Sequence, residues 1–369
     1  MFAETQDGST AAAARADAVL AAAARADSQA RARLAAAIDD LFLAEEARPD
    51  ERQRLAMVAL LARLVASIED DLRQRLGSLL SGSIREDILV ALGTARLAIA
   101  APILEDAGAL RDPELVAVLA VRVGEHRLAE ILRRPGGPES VGAAERPEPW
   151  IDSGDPAIAE AAMALLIAES RRIDQLHQPL VGCTDLPADL QHRLTWRIAA
   201  ALRRWLIEVQ SVSTPQADAA IAEAARASLA VYDEGEALEP AAMRLALELT
   251  RAGSVDPDLL LARALDDGRP APIAALVALR AAVPFDVARQ ALLEPDGARL
   301  TVLLRAGGVG REVALALLQT LGDAHGQPPL AELPAYDLID AVQARAAALP
   351  WRIDPGYRAA IAELEGGKR

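Results

Sequence analysis

Lysine is all but missing from this chain of 369 residues: of its 39 basic side chains only Lys368 is one, and the rest are arginines. A Schiff-base lysine or a phosphate-loop lysine therefore has no candidate outside the extreme C-terminus. Cysteine is just as scarce. Cys183 stands alone, which excludes a disulfide framework within the chain and a thiolate zinc cluster. None of the four histidines, His126, His177, His192 and His325, has a second histidine or a cysteine at ligand spacing. Asp189 and His192 make an isolated D-x-x-H, half of what a carboxylate-bridged metal site needs, and read better as an exposed polar helix face. No G-x-S-x-G elbow occurs, so a serine nucleophile has no local support. These absences predict a protein that is not an enzyme, with no catalytic residue, no metal and no cofactor.

Aromatic residues make up only 3% of a chain that is 52% hydrophobic. A core of alanine and leucine with few rings suits close helix–helix contacts better than a sheet sandwich. Long apolar runs are missing too. Arginines such as Arg63, Arg96 and Arg122 interrupt every stretch before the ~18 residues a membrane span requires. The opening MFAETQDGST lacks the basic and apolar regions of a signal peptide. A soluble, cytoplasmic protein without membrane contact is expected. With a formal charge of −15, binding to a phosphate backbone is disfavoured and no nucleic-acid partner is expected.

What remains is helical pattern and its punctuation. Residues 11–46 read as an alanine-rich helix, either packed on the next helix or free as an arm or dimerising coil. Asp50 suits an N-cap, with Gln53 placed to complete a capping box. The helix that follows carries Leu61, Leu64, Val65, Ile68 and Leu72 on one stripe. Asp–Pro pairs at Asp112–Pro113, Asp155–Pro156 and Asp256–Pro257 each precede an apolar helical pattern, because aspartate caps a helix and proline tolerates its first turn. Residues 135–149, PGGPESVGAAERPEP, interrupt the pattern most strongly and predict a hinge or exposed loop. The glycines Gly307, Gly308 and Gly310 fit a helix C-cap and turn better than a dinucleotide loop. The pairs Asp39–Asp40, Glu45–Glu46, Asp70–Asp71 and Asp266–Asp267 read as solvated faces, since adjacent helical positions diverge by ~100°.

The stretches IEDDLRQRLGSLLSG and ILVALGTARLAIAAPILEDAGALRDPELVAVLAVRVGEHRLAEILRRP carry a further signal. Arg73 to Leu76, Pro102 to Leu104, Leu110 to Leu115 and His126 to Pro135 stand within them, and SGDPAIAEAAMALL and LPADLQHRLTWRIAAALRRWL continue the series. Over most of residues 50–320 the chain resembles the bacterial family called domain of unknown function 2336. The resemblance implies an alphaproteobacterial, cytoplasmic helical-repeat protein of a divergent HEAT-like or leucine-rich-variant kind. It brings no catalytic residues. The expected fold is all-α: stacked short helices, an α-solenoid in the N-terminal half and an irregular helical C-terminal half. The expected segments are residues 1–48 as the alanine-rich helix, 49–185 as the repeat region with its loop at 135–150, 186–350 as a second helical region, and 351–369 as a tail. His126 is assigned a structural role, hydrogen bonding between helices, ahead of a binding role.

The segment LPADLQHRLTWRIAAALRRWLIEVQ is the longest clear amphipathic helix. Its apolar stripe is Leu194, Ile198, Leu202, Trp205 and Val209. Steps of four and seven bring Arg193, Arg197 and Arg204 to one side, with His192, Trp196 and Arg203 on the adjacent strip. In one reading the helix lies between neighbours, with Trp196 buried and the arginines paired to nearby acids. In the other, Arg193, Trp196, Arg197, Arg203 and Arg204 receive an acidic partner helix or an anionic ligand. The functional expectation is a protein-binding adaptor or regulator, with a small anionic ligand or nucleotide sensor as the first alternative and an unrecognised enzyme as the second. The expected partner is a protein. A homodimer through the N-terminal helix is a further option.

Overall fold

The computed structural model describes residues 3–42, 51–94, 97–133, 150–182, 185–232, 237–253, 255–325 and 333–366. The loop expected at 135–149, the cap expected at Asp50 and the pair Glu45–Glu46 lie outside these residues. The fold is all-α. Among the described residues no strand occurs, and the one extended pairing is an isolated bridge between Ile173 and Pro179. In chain order the helices are α1 (Ala3–Phe42), α2 (Glu51–Leu80), α3 (Glu86–Gly93), α4 (Ala100–Asp106), α5 (Pro113–Leu132), α6 (Pro156–Ser170), α7 (Ala188–Glu208), α8 (Thr214–Leu229) and α9 (Leu238–Ala252). They continue with α10 (Pro257–Asp266), α11 (Pro270–Ala281), α12 (Phe285–Leu293), α13 (Ala298–Ala306), α14 (Arg311–Ala324), α15 (Leu333–Leu338), α16 (Ala341–Ala348) and α17 (Pro355–Gly366). A short 3-10 turn, Leu349–Arg352, follows α16. Among the described residues no helix is long and apolar enough to cross a membrane.

The Asp–Pro pairs do what their chemistry dictates. Helices α5, α6 and α10 each begin at the proline. The aspartate before it accepts the backbone N–H two residues on: Asp112 from Glu114 at 3.1 Å, Asp155 from Ala157 at 2.9 Å, and Asp256 from Asp258 at 2.8 Å. Each cap answers one of the N–H groups that a helix start leaves without an intrahelical acceptor.

The helices gather into two compact units that do not follow chain order. One contains residues 1–32, 124–167 and 238–369, the other residues 33–123 and 168–237. In the second, α7 packs against α2, α4 and α8. Leu64, Val65, Ile68 and Leu72 of the α2 stripe are all buried there, with Leu61 partly so. Arg73 and Glu69 of α2 are also buried, and they hold the chain between α3 and α4. The Arg73 guanidinium donates to the carbonyls of Leu92, Ala91, Leu97 and Thr94, and contacts Glu69 at 3.3 Å. Glu69 in turn accepts the N–H groups of Ile99 and Ala100, each at 2.9 Å, where α4 begins. One ion pair thus answers backbone groups at the end of one helix and the start of the next.

In the first unit α11 sits among α9, α10, α12 and α13. Its sequence, PAPIAALVALRA, is apolar all round, and every residue from Ala271 to Ala278 is buried, as such a helix requires. Helix α1 buries Ala16, Val19, Ala23 and Ala26 at spacings of three and four. These four positions of α1 therefore pack against the chain itself.

Candidate functional site

The α7 face stands on a core fixed by Leu190, Leu194, Ile198, Leu202, Trp205 and Leu206, all buried. The stripe ends one turn earlier than its sequence spacing predicts. The helix stops at Glu208, and Val209 is 64% exposed. Ser211 takes a left-handed φ of 56°, and the N–H of Val212 bonds back to the Leu206 carbonyl at 2.9 Å. Val212 enters the core in the place that periodicity gives to Val209, because the chain reverses before another helical turn can form.

On the outer side each arginine has a carboxylate. Arg197 Nη1 lies 2.9 Å from Asp112 Oδ2, the side chain that caps α5. Arg193 shares Asp112 at 3.5 Å and reaches Glu114 at 2.5 Å. Arg203 crosses to Asp218 of α8, and Arg204 pairs along its own helix with Glu208 at 2.9 Å. Arg193, Arg197 and Arg204 therefore do not act as one cluster: two lean toward α5 and one runs along α7. Trp196 is partly buried against the core of its unit, and its Nε1 donates to His192 Nε2 at 3.1 Å. That bond requires an imidazole whose Nε2 carries no proton. The two rings meet edge-on, 6.2 Å between centroids.

The electrostatics follow the pairing. Burial alone pushes the Asp112 carboxyl up, but the Arg197 hydrogen bond, the N–H of Leu115, nearby Arg193 and the N–H of Glu114 together hold it below the ordinary carboxylate range. Asp218 is lowered by its hydrogen bond from Arg203. Glu114, Asp218 and Glu208 raise Arg193, Arg203 and Arg204 respectively, each through a side-chain hydrogen bond.

Other residues singled out by the sequence find structural positions. Asp189 and His192 are exposed, and His192 serves Trp196. His126 lies 3.5 Å from Glu130 on the same helix. The glycine cluster is a cap and turn: Gly307 closes α13, Gly308 has a φ of 66°, and Gly310 precedes α14. Side chains hold this turn. Arg280 Nη2 donates to the Gly308 carbonyl at 2.8 Å, Tyr336 donates to that of Val309 at 2.6 Å, and Asp258 accepts the Gly310 N–H at 2.8 Å. A Cβ at position 310 would stand 2.3 Å from the Asp258 carboxylate, so a side chain there would push that carboxylate off the Gly310 N–H.

Two features escaped the sequence reading. One is an open groove of about 480 Å³ lined by Asp70, Arg73, Gln74, Gly77, Ser78 and Gly93, among others. The other is a braced loop at residues 172–180, described below. Among the described residues no group of three or more His, Cys, Asp or Glu is placed to hold a metal ion. No curated protein and no solved structure matches the chain. Residues 99–352 match the family described as an uncharacterised protein conserved in bacteria, domain of unknown function 2336, and the chain belongs to that family.

Proposed function

We propose that this chain is a non-enzymatic, cytoplasmic adaptor or regulator that binds a protein through the outer face of α7, within a helical-repeat surface. The observation supporting this reading is the charge balance of that face. Arg193, Arg197, Arg203 and Arg204 all remain part-exposed while each already holds a carboxylate, with Trp196 among them. A small anion would have to displace those carboxylates one by one. A protein surface can instead exchange ion pairs at its rim and bury the indole, and tryptophan and arginine are the favoured anchors of such contacts. The same balance disfavours the anionic-ligand sensor.

Ala200 is exposed one turn from Trp196, Arg197, Arg203 and Arg204. A photo-crosslinking residue placed there in the full chain, in the native bacterium, should give a discrete adduct with another protein. Arg203→Glu with Arg204→Glu should remove the adduct and leave the melting temperature nearly unchanged. The reading fails if no protein adduct forms, or if the purified chain takes up ATP in a calorimeter and that double variant abolishes the uptake.

A further inference from the structure

The connection between α6 and α7 contains a small hairpin that the sequence gives no reason to expect. Ile173 and Pro179 form its bridge, and the Leu180 N–H bonds to the Arg172 carbonyl at 2.8 Å. At the tip the Asp174 carboxylate organises the turn. Its Oδ1 accepts the N–H groups of Leu176 and Gln178, each at 2.8 Å, and its Oδ2 takes Arg63 of α2 at 3.2 Å. The base is fixed by Arg122 of α5, itself buried, which donates to the Arg172 and Leu180 carbonyls. Arg172 adds an ion pair with Asp185 at 3.1 Å. His177 completes the turn with a φ of 58°, which a side chain other than glycine adopts only at a cost.

This bracing holds Leu176 in solvent. At 79% exposure it is the most exposed large apolar side chain among the described residues. A lone exposed leucine is ordinary on a protein surface. A leucine at the tip of a turn fixed by three arginines and a carboxylate is different, because its backbone has already lost the freedom that binding would otherwise remove. Two of those arginines, Arg122 and Arg172, are themselves buried beneath the loop.

We infer that Leu176 is a preformed knob that inserts into an apolar pocket on a folded protein partner. The chemistry of the tip selects that occupant. Gln175, His177 and Gln178 are all exposed around the leucine and present hydrogen-bonding groups. The single carboxylate of the turn, Asp174, is offset by Arg63. A pocket for one leucine with a polar, uncharged rim matches this tip. A bilayer does not: interfacial anchoring needs a broad apolar face with basic residues beside it, and a chain of charge −15 is repelled by anionic lipid.

The inference rests on the protein-binding reading above but uses a separate surface, so the two fail separately. The photo-crosslinking residue is placed at position 176 of the full chain in the native bacterium, with position 226, exposed on α8, as the control. A discrete adduct with a different protein from 176, and none from 226, is expected. That protein, purified, should bind the wild-type chain and lose about 10–100-fold in affinity to Leu176→Ala, the cost of one unburied leucine. Asp174→Ala should weaken it as well and speed amide exchange at Leu176 and Gln178. An adduct only with a second copy of this chain overturns the inference. So does binding of wild-type but not Leu176→Ala protein to vesicles of phosphatidylcholine and phosphatidylglycerol, the absence of any adduct from 176, or an affinity that Leu176→Ala leaves unchanged. A protein adduct from position 200 with none from 176 would overturn the knob and leave the α7 face standing.

Discussion

Asp27 and Arg299 are 272 positions apart in the chain, yet Arg299 Nη2 lies 2.9 Å from Asp27 Oδ1. Arg299 is fully buried, with Glu294 at 3.2 Å and the Trp351 ring centroid at 5.4 Å. Asp27 gives its other oxygen to Arg358 at 2.9 Å. Helices α1, α13 and α17 therefore meet through one carboxylate.

Removing the centre of this network should be severe. Arg299→Ala leaves Glu294 buried beside a void, and breaking one side of a buried pair typically costs about 3–5 kcal/mol. Urea denaturation should register that loss, with a smaller one for Arg358→Ala, whose side chain reaches solvent. Equal losses in the two variants would mean that burial of Arg299 is not what makes the network costly to break.

Arg73→Lys should be far from conservative. An ammonium cannot reproduce the fork that serves four carbonyls and Glu69. Leaving buried carbonyls without donors costs about 1–3 kcal/mol. Amide exchange should rise across residues 91–100 more than elsewhere, which mass spectrometry would localise.

Asp112 predicts the direction of an acid effect. Its carboxyl is held below the ordinary 3.8 in the folded chain. Its contribution is complete above that ordinary value and is lost as pH falls through the lower folded value. Asp112→Asn should therefore lower stability at neutral pH and flatten the fall in stability below about pH 4. A variant that melts in parallel with the wild type at every pH would show that the Arg197 pair contributes nothing.

Leu64→Ala should cost about 2–5 kcal/mol, since Leu64 is 2% exposed in the middle of the α2 stripe. A loss under about half a kcal/mol in chemical denaturation would place the stripe at a surface.

The helix starts and the α2 stripe could be read directly, because capping and periodicity are local: Asp112, Asp155 and Asp256 need only the residues that follow them. The end of the α7 stripe could not, since Ser211 carries no signal that it will turn left-handed and send Val212 inward. The arginine face was legible as a face, but not its pairing, because Asp218 belongs to another helix and Asp112 is 85 positions from Arg197. Arg63 and Arg122 show the limit most clearly. In sequence they are interruptions of apolar runs. In space both reach the loop at 172–180, and no spacing rule links positions 111 residues apart.

The reliance on guanidinium groups makes the protein's response to pH one-sided. All but one of the 39 basic side chains are arginine, and a guanidinium in a folded protein keeps its proton beyond about pH 12. The one phenol buried in the turn at 307–310, Tyr336, is pushed up to about 12 by its burial. Acid, by contrast, finds a carboxylate held below its ordinary range at Asp112 and at Asp218, each paired with an arginine of the α7 face. The ion pairs of that face should therefore give way in acid before they give way in alkali, which a melting series run to both sides of neutrality would show.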